Sequence, residues 1–121
     1  MGRIPQMIAV DGRKCWTLFD SGARSTYVTP AVAEVLKTSA TPRTIRTALG
    51  ETKRAALLEA YIQGHPISTH ALVIDEIGND EDGNAIEILF GALAMQQWGI
   101  RLIPADEKLD LTHYPEEFLE F

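Results

Sequence analysis

One tripeptide constrains this chain more than any other: Asp20-Ser21-Gly22, with Ala23 after it, directly follows the run Cys15-Trp16-Thr17-Leu18-Phe19. Aromatic and β-branched residues favour an extended strand, whereas Asp, Ser and Gly favour a tight turn. The pattern sets a carboxylate at the point where a strand gives way. A carboxylate held there can polarise a water for attack on an amide, provided a second carboxylate lies beside it and the two share one proton. The chain carries the motif once. Taken alone, the tripeptide also reads as an ordinary strand-to-turn junction.

A second motif lies far along the chain. Ile86-Glu87-Ile88-Leu89-Phe90 is an apolar run that ends at Gly91, and the helical stretch Ala92 to Trp98 follows until Gly99 stops it. Closer to the aspartate, Arg24-Ser25-Thr26-Tyr27-Val28 leads out of the turn into another short extended segment.

With these residues the chain resembles the retroviral-type aspartic proteases, the retropepsin-like family, including its single-domain bacterial and eukaryotic relatives. Leu18-Phe19-Asp20-Ser21-Gly22-Ala23 matches the active-site loop, and Ile88-Leu89-Phe90-Gly91 matches the apolar-apolar-Gly signature near the C-terminus. The order, spacing and context of the pair carry the resemblance, which spans roughly residues 5 to 111. It implies a mainly β fold: a closed retropepsin-like β-barrel, the acid protease fold reduced to one lobe, with a short helix after the C-terminal ψ-loop strand. Residues 1–121 are expected to form one domain, with 112–121 as a tail.

The resemblance also implies roles. Asp20 is the expected catalytic residue, Ser21 would hydrogen-bond across a dimer beneath the aspartates, and Gly22 and Ala23 would let substrate backbone approach. Val28, Leu49, Gly50 and Glu51 are expected to line the substrate site. Substrate would be an extended peptide or protein segment, and the mechanism needs no metal, nucleotide or other cofactor.

A chain of 121 residues, 45% hydrophobic, can build one core but not two. Two-lobed aspartic proteases carry two such loops in one chain, so this one must borrow its second from a partner. A symmetric homodimer follows, with an inactive isolated subunit. The lone Cys15 excludes an internal disulfide and fits a reducing compartment. It could act as a nucleophile with His65, His70 or His113, but its place in an apolar strand favours a core thiol. The N-terminal residues lack the apolar core of a signal peptide, and no segment approaches membrane-spanning length. A soluble, cytoplasmic protein without membrane association is expected. The net charge of −6, and a basic stretch without interleaved aromatics, argue against nucleic acid. Asp80-Glu81-Asp82-Gly83-Asn84 lacks the spacing of a calcium loop, and His65 and His70 have no third ligand.

Turn chemistry divides the rest. Met7–Val10 reads as a first strand, Asp11-Gly12 as a hairpin turn, and Lys14–Phe19 as the strand that delivers Asp20. Thr29-Pro30 predicts a helix over 30–37, with Thr29 as N-cap and Val32, Val35 and Leu36 packing on the barrel. Residues 43–48, a turn at Leu49-Gly50-Glu51 and residues 54–62 form a hairpin. By resemblance this is the flap that covers substrate; by residues alone it is equally a surface hairpin. Ala55–Ala60 has helical propensity and is assigned to strand on the resemblance. Gln63 to Pro66 is a turn, Ile67–Ile74 a strand, Glu76–Asn84 a loop, and Ile100–Leu111 a last hairpin. Phe118, Leu119 and Phe121 are expected to be covered, at a subunit interface or on the chain's own barrel.

Some features depart from the viral enzymes. Ala92-Leu93 stand where those carry a bracing Arg followed by Asp or Asn, and Arg24 replaces the acidic partner of that brace. Phe90 precedes Gly91, and Gly50 is the single glycine at the hairpin tip. Beside an endopeptidase, the residues admit a retropepsin-like domain that dimerises or binds peptide without cleavage, or a small β-barrel interaction module with a coincidental Asp-Ser-Gly turn.

Overall fold

Two-residue turns set the registers of this fold. In the computed structural model, which describes residues 2–115, Asp11 and Gly12 adopt φ of 50° and 77°. They fold β1 (Arg3–Val10) onto β2 (Arg13–Asp20), with Val10 opposite Arg13. Two left-handed residues match the twist of the flanking strands, which is why Asp-Gly suits the position. Gln63-Gly64 does the same between β5 (Gly50–Ile62) and β6 (His65–Val73). From such a turn inward, alternation decides burial. Ile67, Ala71 and Val73 of β6 face the core, as do Ala56, Leu58, Ala60 and Ile62 of β5. Ala55–Ala60 is strand, because paired neighbours on both sides outweigh its helical propensity.

The remaining wall comes from β3 (Tyr27–Val28) and β7 (Ile88–Phe90). β7 lies between β2 and β3, parallel to the first and antiparallel to the second. This is the ψ arrangement: β2 turns away through the Asp20 loop, returns as β3, and leaves a gap that β7 fills. The order β1-β2-β7-β3-β6-β5 closes on itself through Ala9 opposite Tyr61, giving a six-stranded barrel. Phe19 and Phe90, both fully buried, meet at its centre with ring centroids 5.1 Å apart.

β4 (Lys37–Thr47) adds to β5 outside this ring. It starts six residues before the expected extended segment, because Lys37 to Ala40 already pair with Leu57 to Arg54; the ladder is then interrupted between Ala40 and Ile45, where Pro42 offers no N–H. The tip is a two-residue turn, Ala48-Leu49, with Thr47 opposite Gly50. Gly50, at φ 126°, therefore opens β5 instead of lying at the turn's centre. The helix after Thr29 is also shorter than expected: α1 spans Pro30–Ala33, since Lys37 is already paired with Leu57. Val32 is buried and Leu36 half-buried, but Val35 is 44% exposed and does not pack on the barrel.

After β7 the chain enters α2 (Ala92–Gln97), then a separate two-stranded hairpin of β8 (Arg101–Ile103) and β9 (Lys108–Asp110). Tyr114 folds back between His65 and Trp98, at ring distances of 4.5 and 5.8 Å. Phe118, Leu119 and Phe121 lie outside the described residues. In the loop before β7, Asp80 accepts from the N–H groups of Asp82 and Asn84 and from the Trp16 indole. Burial works against its charge, but these donors prevail and hold the carboxyl below its ordinary range.

Candidate active site

β2 delivers Asp20 as its last residue, and the carboxylate turns back into the fold, 6% exposed. Gly22 donates its N–H to Asp20 Oδ1 at 2.8 Å and Ala23 its N–H to the Asp20 carbonyl at 3.2 Å, an Asx-type turn that fixes the carboxylate's direction. The second carboxylate oxygen lies 3.3 Å from Nε of Arg3.

The β7–α2 junction carries the loop from below. Gly91 donates to the buried Thr26 hydroxyl at 3.1 Å, Ala92 to the Ala23 carbonyl at 2.6 Å, and Leu93 to the Arg24 carbonyl at 3.2 Å. So the loop is held by backbone donors at the positions where a side-chain brace is missing. Gly91 is required by space: a Cβ there would stand 2.2 Å from the Ser25 carbonyl oxygen. The N-terminal strand grips the loop from the other side. Gly2 donates to Ser21 Oγ at 2.8 Å, and Ser21 donates its N–H to the Gly2 carbonyl at 3.0 Å.

The structure thus brings Asp20, Ser21, Gly22 and Ala23 together with Gly2, Arg3, Thr26 and Gly91–Leu93. Val28 is not part of this surface. It is fully buried in the barrel, because strand alternation from the buried Thr26 puts Val28 inward and leaves Tyr27 on the outer face, half-buried. Leu49, Gly50 and Glu51 border a groove of about 400 Å³ with the segment from Ile74 to Gly78, and no active-site-loop residue lines it. An Arg46–Glu51 ion pair of 3.1 Å ties the two arms of that hairpin.

Arg3 is absent from the sequence-based expectation, though a signal for it exists. Counting equally outward from the Asp11-Gly12 turn puts Arg3 opposite Asp20. Thr26 carries no such signal, since its partner Gly91 is 65 positions away.

Cys15 is buried, and desolvation together with neighbouring Glu87 pushes its thiol up to about 11. It stays protonated at neutral pH and is a core thiol, not a nucleophile. Native protein at pH 8 should therefore react with a thiol reagent such as DTNB far more slowly than protein unfolded in guanidinium, by about 100-fold or more with the thiol held at about 11. Equal rates in the two states would show that the site is open. Among the described residues, no group of His, Cys, Asp and Glu is arranged to hold a metal ion, and no helix is long and apolar enough to cross a membrane.

No family profile and no curated protein matches this sequence. Solved structures match its fold. An EIAV protease complexed with the inhibitor HBY-793 superposes with a TM-score of 0.62 at 18% identity, covering 84% of this chain and 93% of that one. The retroviral protease-like domain of Ddi1 from Leishmania major gives 0.66 at 12% identity, covering 94% and 89%. The closed six-strand ring, the ψ arrangement around β7 and these superpositions together show that the chain has the retropepsin-like fold, one lobe of the acid protease barrel.

Proposed function

We propose that the protein is an aspartic endopeptidase that works as a homodimer, with Asp20 of each subunit meeting at a two-fold axis. One observation carries this reading: a carboxylate at the end of β2, aimed by the Gly22 N–H, sits on a loop that Gly91 packs against at closest approach. Two such carboxylates side by side cannot both ionise and share one proton. The ionised partner takes a proton from the water between them, and that water attacks the scissile carbonyl. The protonated partner gives its proton to the carbonyl oxygen, so that a tetrahedral gem-diol forms. Collapse breaks the C–N bond as the carboxyl that took the water's proton passes it to the leaving amine, and the other carboxylate takes a proton back from the gem-diol. Ala23, Leu49, Gly50 and Glu51 are the candidates to contact an extended substrate, with Tyr27 in place of Val28. A reducing, cytoplasmic setting suits the unpaired thiol of Cys15.

Within one subunit, Arg3 occupies the Asp20 carboxylate, and Gly2 occupies the Ser21 hydroxyl expected to bond across the dimer. The Arg3 side chain is 72% exposed and free to turn out into water. If it stays, the carboxylate remains an ion-pair partner and is not free to face a second Asp20. That contact favours, as the second reading, a dimerising or peptide-binding domain without cleavage.

Mixing subunits tests the first reading. Excess Asp20→Asn chain, incubated with wild type until subunits exchange, should suppress cleavage of a fluorogenic peptide mixture by forming dimers with one carboxylate. At about ninefold excess the residual activity should fall to about a tenth, as random pairing of a two-fold dimer requires. Undiminished activity after demonstrated exchange would exclude a shared site.

A further inference from the structure

A groove of about 530 Å³ opens beside the active-site loop. Arg24, Ser25 and Thr26, which follow the catalytic turn directly, form one wall; β6 from Ser68 to Leu72 and the α2 side chains Leu93 and Gln97 contribute the others. No aspartate or glutamate lines it, although the chain carries 17 acidic residues against 11 basic ones. Its charged group is Arg24, exposed and without an ion pair among the described residues. Around it stand Ser25 and Ser68 with their hydroxyls, Thr69, whose hydroxyl donates to the His70 carbonyl, the imidazole of His70 and apolar surface from Leu93, 53% exposed. The Arg24 carbonyl is engaged by the Leu93 N–H, so the backbone is fixed while the guanidinium remains available.

This lining is complementary to a carboxylate. A guanidinium offers a planar fork of donors that matches carboxylate geometry, and hydroxyls supply further donors. Distance also suits a substrate. Arg24 lies four residues after Asp20, so their Cα atoms are at most about 14 Å apart. An extended peptide advances about 3.4 Å per residue, and one lying across Asp20 reaches the groove within about four residues of the bond being cut.

We propose that this groove is an exosite for an acidic segment of the substrate flanking the cleaved stretch, with Arg24 as its specificity-determining residue. The proposal rests on the endopeptidase reading. A protein of net charge −6 repels acidic chains in general. A local site free of carboxylates therefore sets register and selects among substrates more than it raises affinity for all of them.

The test uses three fluorescent peptides with one shared apolar centre, flanked by four Glu, four Gln or four Lys. Cleavage by wild type and binding to Asp20→Asn are both measured, alongside Arg24→Gln and Arg24→Glu in each background. The Glu-flanked peptide should be favoured over the Gln-flanked one by roughly fivefold at low salt, as for a single exposed ion pair. The preference should shrink at 0.5 M salt, vanish in Arg24→Gln and reverse in Arg24→Glu. Cleavage without any flank preference would overturn the exosite and leave the endopeptidase reading standing. Flank-dependent binding to Asp20→Asn without cleavage by wild type would do the reverse. A preference that persists unchanged in both Arg24 variants would overturn the role of Arg24.

Discussion

Asp20→Asn is expected to lower peptide hydrolysis by about 10⁴-fold while the barrel stays folded. An amide neither ionises nor donates an acidic proton, so an Asn pair can neither take a proton from water nor protonate the leaving group. The loss of acid–base chemistry at both carboxylates accounts for a factor of this order, about 5 kcal/mol of transition-state stabilisation. Folding is spared for a local reason. The amide oxygen of Asn still accepts the Gly22 N–H, and the substitution otherwise removes only an ion pair with the Arg3 side chain, itself 72% exposed. Such pairs contribute at most about 1 kcal/mol. Cleavage is followed by chromatography, folding by thermal melting and dimerisation by analytical ultracentrifugation. Cleavage by the variant at the wild-type rate would remove Asp20 from the chemistry. Wild-type protein that dimerises, binds peptides and cuts none would establish the non-cleaving reading.

Local patterns make much of this fold legible. The Asp11-Gly12 turn has one natural geometry, and from it the pairing of β1 and β2 and the strand-end position of Asp20 follow. The apolar run before Gly91 and the Gly99 stop likewise locate β7 and α2 to within a residue or two. What escapes depends on partners remote in the chain. β4 is exposed along most of its length, so no alternation of apolar residues marks its start, and its pairing with β5 alone defines it. Val28 is assigned to a pocket on the resemblance, and nothing in its own neighbourhood corrects that, because an apolar side chain there suits either face. Burial of Thr26 against Gly91 sets the alternation. The N-terminal grip on Ser21 and Asp20 is readable only in part: the register places Arg3, but the Gly2–Ser21 bonds come from the loop's own path.

Gly91→Ala should be the most destabilising change at the site, although it touches no reacting group. The backbone of Gly91, at φ −91° and ψ 176°, is one that alanine adopts freely, so conformational preference costs nothing. The penalty is entirely steric. The added methyl would stand 2.2 Å from the Ser25 carbonyl oxygen, 2.6 Å from its carbon and 2.8 Å from the Arg24 carbonyl oxygen. All three are main-chain atoms, so no rotamer change relieves the clash. The loop must retreat from the β7–α2 junction, lengthening the bonds from Gly91, Ala92 and Leu93 together. Overpacking against rigid main chain costs about 3 kcal/mol, or roughly 12 °C in Tm for a domain of this size. Gly83→Ala is the informative control. It has open space around it and a φ of 83°, so it carries only the left-handed backbone penalty of about 1 to 2 kcal/mol. A Gly91→Ala protein melting no lower than Gly83→Ala would mean that the loop is not braced through this junction. If Gly91→Ala folds at low temperature, it should still cleave poorly with Asp20 intact, since the segment that aims the carboxylate has been displaced. That combination would separate holding the aspartate in place from supplying it.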